Sequence, residues 1–188
     1  QSAFGNPDVL IEKVVVAPRH IEVQVFGDRH GNAVHLFERD CTLQRRFQKL
    51  VEIAPSPALQ DGLRQQLVAA ALRMARAVRY EGLGTFEFLV DAASADLPFV
   101  FIEANPRLQV EHTVTEEVFG VDLVQSQIRL AAGQSLRELG LDPAAPPTPR
   151  GVPSRPETAA RRAARPIRRR PAPAVPHPPR RGRCRPSG

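Results

Sequence analysis

Residues 101–112 read F-I-E-A-N-P-R-L-Q-V-E-H, in which polar and apolar side chains alternate. Alternation at period two predicts an extended strand whose successive side chains point to opposite faces. One face would carry the polar set Glu103, Asn105, Arg107, Gln109 and Glu111. Carboxylates and an amide oxygen suit a hard cation, and a guanidinium suits a phosphate or a carbonate. The same pattern also fits a polar edge strand, so both interpretations stay open.

A second alternating run lies at residues 84–89, G-T-F-E-F-L, and places Thr85 and Glu87 on one face. The following A-A-S-A-D-L-P predicts a hairpin loop, which would bring Glu87 opposite Glu103 or Asn105. Two adjacent carboxylates repel each other, and a shared divalent cation removes that repulsion. The two runs therefore predict that the carboxyl groups of Glu87 and Glu103 lie close together.

The remaining patterns predict an α+β fold, a largely antiparallel sheet covered by helices. Further strands are predicted at residues 9–16, 20–26 and 33–38, with G-D-R-H-G-N as the turn of a hairpin.

An amphipathic helix is predicted from Ser56 as N-cap, with Pro57 at its first position, to Val78. An irregular stretch is expected at residues 107–115, and a helix at residues 122–132 that ends at Gly133.

Four ordered blocks resemble the biotin carboxylase branch of the ATP-grasp enzymes. They are R-H-I-E-V-Q-V, E-R-D-C-T-L-Q-R-R-F-Q-K, G-T-F-E-F-L and E-A-N-P-R-L-Q-V-E-H-T-V-T-E. The similarity runs from about Phe4 to Leu141 and resembles the second lobe of the ATP-grasp module. Parent proteins of this type include biotin carboxylase subunits, acyl-CoA carboxylases and pyruvate carboxylase. The resemblance implies a ligase that uses MgATP and bicarbonate to form carboxyphosphate, and then carboxylates biotin on a carrier domain.

The resemblance also implies a role for each matching residue. The implied nucleotide-binding residues are Glu12, Lys13, Val15, His20 and Gln44. The implied ligands of Mg²⁺ or Mn²⁺ are Glu87, Glu103 and Asn105. The implied bicarbonate-binding residues are Arg107, Gln109 and Val110, the last through its backbone. The implied catalytic residues are Glu111 as general base, with Arg107 and Lys49 as neutralising charges.

Phe47 departs from the family pattern, because many relatives carry histidine there. A phenyl ring has no hydrogen-bonding group, so it cannot replace a donor to nucleotide phosphate. Either nucleotide affinity is altered at this position, or the change is a tolerated variation.

The chain divides into a body, residues 1–141, and an Arg/Pro-rich tail, residues 142–188. The tail holds 12 Arg against Asp142 and Glu157, a formal charge of +10, and 13 of the 19 prolines. The whole chain carries +6, which leaves −4 for the body. Too few apolar residues remain to offset the entropy of ordering, so the tail is predicted to be disordered.

An abrupt change to Arg, Pro and Ala near Gly151 suggests a frameshift in a GC-rich gene, the alternative being a genuine extension.

Two other functions fit parts of the sequence. The basic tract R-R-A-A-R-P-I-R-R-R-P would bind nucleic acid or another polyanion nonspecifically. The body could also be an inactive remnant that pairs with a carboxylase subunit. Magnesium-dependent ATP binding by the body would favour the ligase. A salt-sensitive shift with nucleic acid, lost on deletion of residues 142–188, would favour the first alternative, and nucleotide-independent assembly would favour the second.

No apolar run is long enough to span a membrane and no signal-peptide pattern is present, so a cytoplasmic location is expected. The resemblance implies a homo-oligomer or a carboxyltransferase partner in the intact enzyme. It also places a glycine-rich phosphate loop and a further arginine in other lobes, so we expect the isolated chain to be inactive.

Overall fold

The computed structural model describes Val9, residues 11–12, residues 14–91 and residues 98–150. The described elements are, in order, β1 (Arg19–Gly27), β2 (Ala33–Arg45), β3 (Gln48–Ile53), α1 (Asp61–Ala77), β4 (Gly82–Val90), β5 (Phe99–Asn105), α2 (His112–Phe119) and α3 (Leu123–Ala131). The predicted α+β class is confirmed. Within the described residues, no helix combines the length and the apolar character needed to cross a membrane.

The strands form one antiparallel sheet in the order β3-β2-β1-β4-β5. The two predicted hairpins, β1 with β2 and β4 with β5, are both present. In the second hairpin Glu87 lies directly opposite Glu103, as predicted. The central strand β1 pairs on both sides, and its residues Ile21, Val23 and Val25 are fully buried.

The two faces of the sheet have opposite characters because side chains alternate along each strand. One face packs against α1, where Leu67 and Ala71 share a buried cluster with Val23, Phe86 and Phe88. The other face carries a second apolar cluster at one end, in which α2 and α3 contribute Phe119, Leu123 and Leu130 beside Phe26 and Leu83. The rest of that second face is polar, and the candidate site lies there.

The predicted start of α1 is wrong. The helix begins at Asp61, after Gln60 as N-cap, and not at Ser56 and Pro57. Ser56 is instead bound to the sheet, since its backbone N–H donates to Glu38 (3.1 Å) and its hydroxyl donates to Asp40 (3.1 Å). Ala58 has a positive φ of 54°, which no right-handed helix accommodates.

Three other segments differ from the expectation. Among the described residues of the predicted strand 9–16, none lies in a strand, and Val9 and Ile11 are exposed. Strand β3 is a half-exposed edge strand that was not predicted from the sequence. The stretch expected to be irregular is so only to Glu111, because helix α2 begins at His112 and buries Thr115 and Phe119 one turn apart.

The first part of the predicted tail, residues 142–150, is described. Asp142 pairs with Ala145, and the backbone N–H of Arg150 donates to the Val118 carbonyl (2.7 Å). Residues 151–188 lie outside the described residues. The domain boundary, the disorder of the tail and the frameshift stay predictions.

We expect Gly27→Ala to lower the free energy of unfolding by about 1–3 kcal/mol, the usual cost of overpacking. A Cβ at Gly27 would lie 1.8 Å from the backbone oxygen of Tyr80, a contact that no rotamer change relieves. The matched control is Gly62→Ala in α1, where a Cβ meets nothing within 4 Å. Urea unfolding curves measure both, and equal stability of the two variants would contradict the prediction.

Candidate functional site

Strand pairing aligns four charged residues in one row across the polar face. Arg39 of β2 lies opposite Glu22 of β1, Glu22 opposite Glu87 of β4, and Glu87 opposite Glu103 of β5. Glu22 and Glu87 are buried, with 0% and 1% of their surface exposed. Adjacent carboxylates in a buried row repel strongly, so their charges need compensation from nearby groups.

Lys49 of β3 supplies that compensation. Its Nζ lies 2.5 Å from Glu22 Oε2, 2.7 Å from Glu111 Oε1 and 3.5 Å from Glu87 Oε1. Burial by itself would lower the pKa of Lys49, but the carboxylates of Glu22 and Glu111 hold it above its usual value. The ammonium is therefore charged and binds three carboxylates from three different segments of the chain.

Glu87 is the most heavily bonded carboxylate of the row. Its Oε1 accepts from the amides of Asn105 (2.7 Å) and Gln109 (2.8 Å), and its Oε2 lies 2.6 Å from His20 Nε2. Burial would raise the pKa of Glu87, but the hydrogen bond from His20 and the charge of Lys49 hold it far below the usual range. Glu87 is therefore ionised whenever the protein is folded near neutral pH.

The predicted convergence of Glu87 and Glu103 is confirmed. One amide group, Asn105 Nδ2, donates to Glu87 Oε1 at 2.7 Å and to Glu103 Oε1 at 2.9 Å. Two carboxylates and an amide oxygen form a donor set that suits a hard divalent cation. The amide needs only to turn about its last bond to present Oδ1 in place of its N–H groups. These three residues therefore fit the predicted metal site.

Glu111 occupies the N-cap position of α2, and its carboxylate bonds to Lys49. Burial would raise the pKa of Glu111, but the hydrogen bond from Lys49 holds it below the usual value. Glu111 is therefore ionised at neutral pH, in direct contact with a cation.

The structure brings together most of the predicted site residues in one hydrogen-bonded network. Those that join it are His20, Gln44, Lys49, Glu87, Glu103, Asn105, Gln109 and Glu111. Gln44 joins through His20, because its Nε2 lies 2.8 Å from the Nδ1 of that ring.

Other predicted site residues lie apart from this network. Glu12 is exposed and Val15 half-buried, both before β1. Arg107 is exposed and donates to the neighbouring Leu108 carbonyl (3.2 Å), and Val110 is also exposed. Lys13 lies outside the described residues.

Sequence reasoning missed four members of the network. They are Glu22, Gln24, Arg39 and Thr115. Glu22 and Gln24 could have been predicted from the sequence, because they alternate with His20 along β1 at period two. Arg39 could not have been predicted in the same way. The β1–β2 register shifts between Val23 and Val25, and this irregularity changes which residues of β2 lie on the polar face.

Comparisons with known proteins identify the family of the chain. Residues 1–139 match the model of the family described as the carbamoyl-phosphate synthase L chain, ATP binding domain. Pyruvate carboxylase 1 of Caenorhabditis elegans is 61% identical over 141 residues, which are 75% of this chain and 12% of that protein. This chain thus spans a small part of that relative.

Two solved structures are similar in fold and in sequence. The biotin carboxylase domain of a single-chain bacterial carboxylase superposes with a TM-score of 0.65 at 56% identity, covering 72% of this chain and 31% of that domain. The Campylobacter jejuni biotin carboxylase, solved as a complex with a β,γ-ATP ligand, gives a TM-score of 0.63 at 52% identity, covering 66% of this chain and 27% of that one.

We expect Lys49→Met to raise the pKa of Glu111. The ammonium favours the ionised carboxylate, so its removal makes protonation easier. The stability that this contact contributes is present above the unfolded-state pKa of Glu111 and is lost as the pH falls through its lower folded-state pKa. A ¹³C-carboxyl NMR titration measures the shift, with Glu111→Gln identifying the signal.

The matched control for this titration is Arg45→Met, which removes one positive charge from an exposed position of the β2–β3 hairpin. It should leave the pKa of Glu111 nearly unchanged. If Lys49→Met and Arg45→Met shift this pKa equally, the Lys49 contact does not control it.

Proposed function

The chain belongs to the family of carbamoyl-phosphate synthase L chain ATP-binding domains, and from that premise we propose that it is the ATP-binding part of a biotin carboxylase. The reaction would couple ATP cleavage to carboxylation of carrier-bound biotin, with bicarbonate as the carbon source. The observation that carries the proposal is the network around Lys49, where a cation, a proton acceptor and a metal-type donor set share one sheet face.

The charge of the network supports a divalent cation. The carboxylates of Glu22, Glu87, Glu103 and Glu111 outnumber the cations Arg39 and Lys49 by two. Glu87, Glu103 and Asn105 would hold Mg²⁺ or Mn²⁺. When bound, the metal would neutralise charge on the phosphate oxygens of ATP.

The nucleotide would extend from the segment before β1 toward this donor set. Glu12, Lys13 and Val15 would hold the adenine, largely through backbone groups. His20 and Gln44 would contact the nucleotide, and their mutual hydrogen bond fixes the orientation of the imidazole ring. His20 also contacts Glu87, so the same ring would connect the nucleotide contacts with the metal ligands.

Bicarbonate would bind beside Glu111. Arg107, Gln109 and the backbone of Val110 lie in the loop between β5 and α2, immediately before this carboxylate. Glu111 would take the proton of bicarbonate, and the freed oxygen would attack the γ-phosphorus of ATP and release ADP. Lys49 and Arg107 would neutralise the transferred phosphoryl group. Carboxyphosphate would then transfer its carboxyl group to N1 of biotin on the carrier domain, as its C–O bond to phosphate breaks, inorganic phosphate is released and N1 loses its proton.

The proposal is tested in a chimera, because the matched relatives contain much additional chain. Residues 19–141 replace the corresponding segment of the single-chain bacterial biotin carboxylase domain, to which this chain is 56% identical. We expect bicarbonate-dependent ATP cleavage in the chimera, and a loss of about 10²- to 10⁴-fold with Glu111→Gln, the range for a removed general base.

The control for Glu111→Gln is Glu117→Gln, which makes the same substitution at an exposed position of α2. It should leave turnover unchanged. Full turnover of a Glu111→Gln chimera would reject Glu111 as the base, and an inactive parent chimera that binds no MgATP would reject the proposed function.

The chain of residues 1–188 should show no bicarbonate-dependent ATP cleavage by itself. The family's glycine-rich phosphate loop does not occur in this sequence, and one missing charge at a phosphoryl-transfer site costs on the order of a thousandfold in rate. Turnover above that of Glu111→Gln, measured on rigorously purified protein, would refute this expectation.

A further inference from the structure

Arg39 is fully buried on the polar face and makes four hydrogen bonds to side chains. Its Nε donates to Glu22 Oε1 (2.5 Å), and its Nη1 donates to Gln24 Oε1 (2.9 Å) and Thr115 Oγ1 (2.7 Å). Its Nη2 donates to Gln109 Oε1 (3.1 Å). One guanidinium on β2 therefore links β1, the loop before α2, and α2 itself.

The first consequence concerns Lys49. Glu22 has two carboxylate oxygens, and Arg39 occupies Oε1 while Lys49 occupies Oε2 at 2.5 Å. The other three hydrogen bonds of Arg39 hold the planar guanidinium in one orientation, so its Nε–H fixes the position of Oε1 and leaves Oε2 to Lys49. Arg39 thereby determines where the second oxygen of Glu22 holds the ammonium of Lys49.

The second consequence concerns Gln109. A side-chain amide can point either its oxygen or its nitrogen in a given direction. Because Arg39 has only donors, it selects the orientation in which Gln109 Oε1 faces the guanidinium. Gln109 Nε2 must then point the other way, where it donates to Glu87 Oε1 at 2.8 Å.

The third consequence concerns Glu111. Thr115 lies one helical turn after Glu111, and its hydroxyl accepts from Arg39. This bond ties the first turn of α2 to the sheet. The carboxylate of Glu111 is thereby held within reach of Lys49, at 2.7 Å.

We propose that Arg39 is a positioning residue that orients Gln109 directly and sets the geometry of Lys49 through Glu22 and of Glu111 through Thr115. The expected changes in kcat/KM rest on the proposed function, whereas the effect of Arg39 on the hydrogen bonds of Lys49, Gln109 and Glu111 does not. Arg39 itself contacts none of the metal-type donors Glu87, Glu103 and Asn105 in the hydrogen bonds of the described residues.

The first experiment uses the 188-residue chain and needs no activity. The sequence contains two lysines, Lys13 and Lys49, so Lys13→Arg assigns the Lys49 ammonium signal in a ¹⁵N NMR spectrum. A slowly exchanging ammonium signal requires persistent hydrogen bonds. Arg39→Met should abolish or strongly shift it, and an unchanged signal would overturn the proposal.

The matched control is Arg64→Met on the opposite face of the sheet. Arg64 also bonds to a buried glutamate, Glu38 (2.8 Å), and its other hydrogen bonds go to Asp61 and the Ser56 carbonyl. It should destabilise the protein through a comparable lost ion pair while leaving the Lys49 signal in place. A loss of this signal in Arg64→Met would show that general destabilisation accounts for the effect.

The second experiment uses the chimera and separates positioning from stability. Arg39→Lys keeps the charge, so it should restore much of the stability lost in Arg39→Met. A single ammonium cannot reproduce the planar arrangement of guanidinium donors. The kcat/KM of Arg39→Lys for bicarbonate should therefore remain about 10- to 100-fold below that of the parent chimera, the usual effect of removing a residue that orients a binding residue. The KM for MgATP should change much less. Recovery of full kcat/KM in Arg39→Lys would overturn the positioning role.

Thr115→Val provides a milder test if Arg39 variants do not fold. It removes one acceptor of Arg39 at constant volume, and kcat/KM for bicarbonate should fall by about tenfold, the low end of the range for a lost positioning contact. Thr113→Val, at an exposed position of the same helix, should have no effect. Equal activity of the two valine variants would contradict the proposal.

An inactive parent chimera would count against the proposed function and leave the Lys49 signal as the deciding measurement for Arg39.

Discussion

The contact between Lys49 and three carboxylates is the constraint on which the polar face depends. Two like charges about 4 Å apart repel by about 4 kcal/mol at an effective dielectric constant of 20, whereas an ordinary hydrogen bond contributes about 1 kcal/mol net. Hydrogen bonds alone would not hold Glu22, Glu87 and Glu111 together. The charged ammonium of Lys49, 2.5–3.5 Å from all three carboxylates, holds them together. This arrangement requires β3 to pair with β2, because that pairing makes Lys49 face the row of charged residues.

The same strands provide the stability that such a row needs. Along β1 the apolar residues Ile21 and Val23 alternate with Glu22, and along β4 Phe86 and Phe88 alternate with Glu87. Both buried glutamates are therefore flanked by residues that pack under α1. A shift of the register by one residue would move Glu22 into the apolar layer. The apolar face therefore fixes the register, and the register fixes the spacing of the charges on the other face.

Sequence reasoning could predict whatever depended on local pattern. The hairpins, α3 and the pairing of Glu87 with Glu103 follow from alternation and turn residues within short segments. It failed where distant contacts decide the outcome: Ser56 has the side chain of an N-cap but is bound by Glu38 and Asp40 of β2. The segment E-R-D-C by itself would assign Arg39 to the protein surface. The irregular β1–β2 register instead places Arg39 in the buried network, where it bonds to Glu22, Gln24, Gln109 and Thr115.

The two cations of the network differ in how firmly the fold holds them. Arg39 is fully buried on an inner strand and bonds to four acceptors, whereas Lys49 lies on the edge strand β3, and its side chain is 20% exposed. The turn before Lys49 contains Arg46 and Phe47, both with positive φ, and the β2–β3 register shifts twice. These features cost stability and leave β3 less constrained than the inner strands β1 and β2. An incoming anion would compete with Glu22 and Glu111 for the Lys49 ammonium, but it would not displace Arg39. The fold thus combines one cation that is fixed on an inner strand through Glu22 with another that joins three carboxylates from the edge of the sheet.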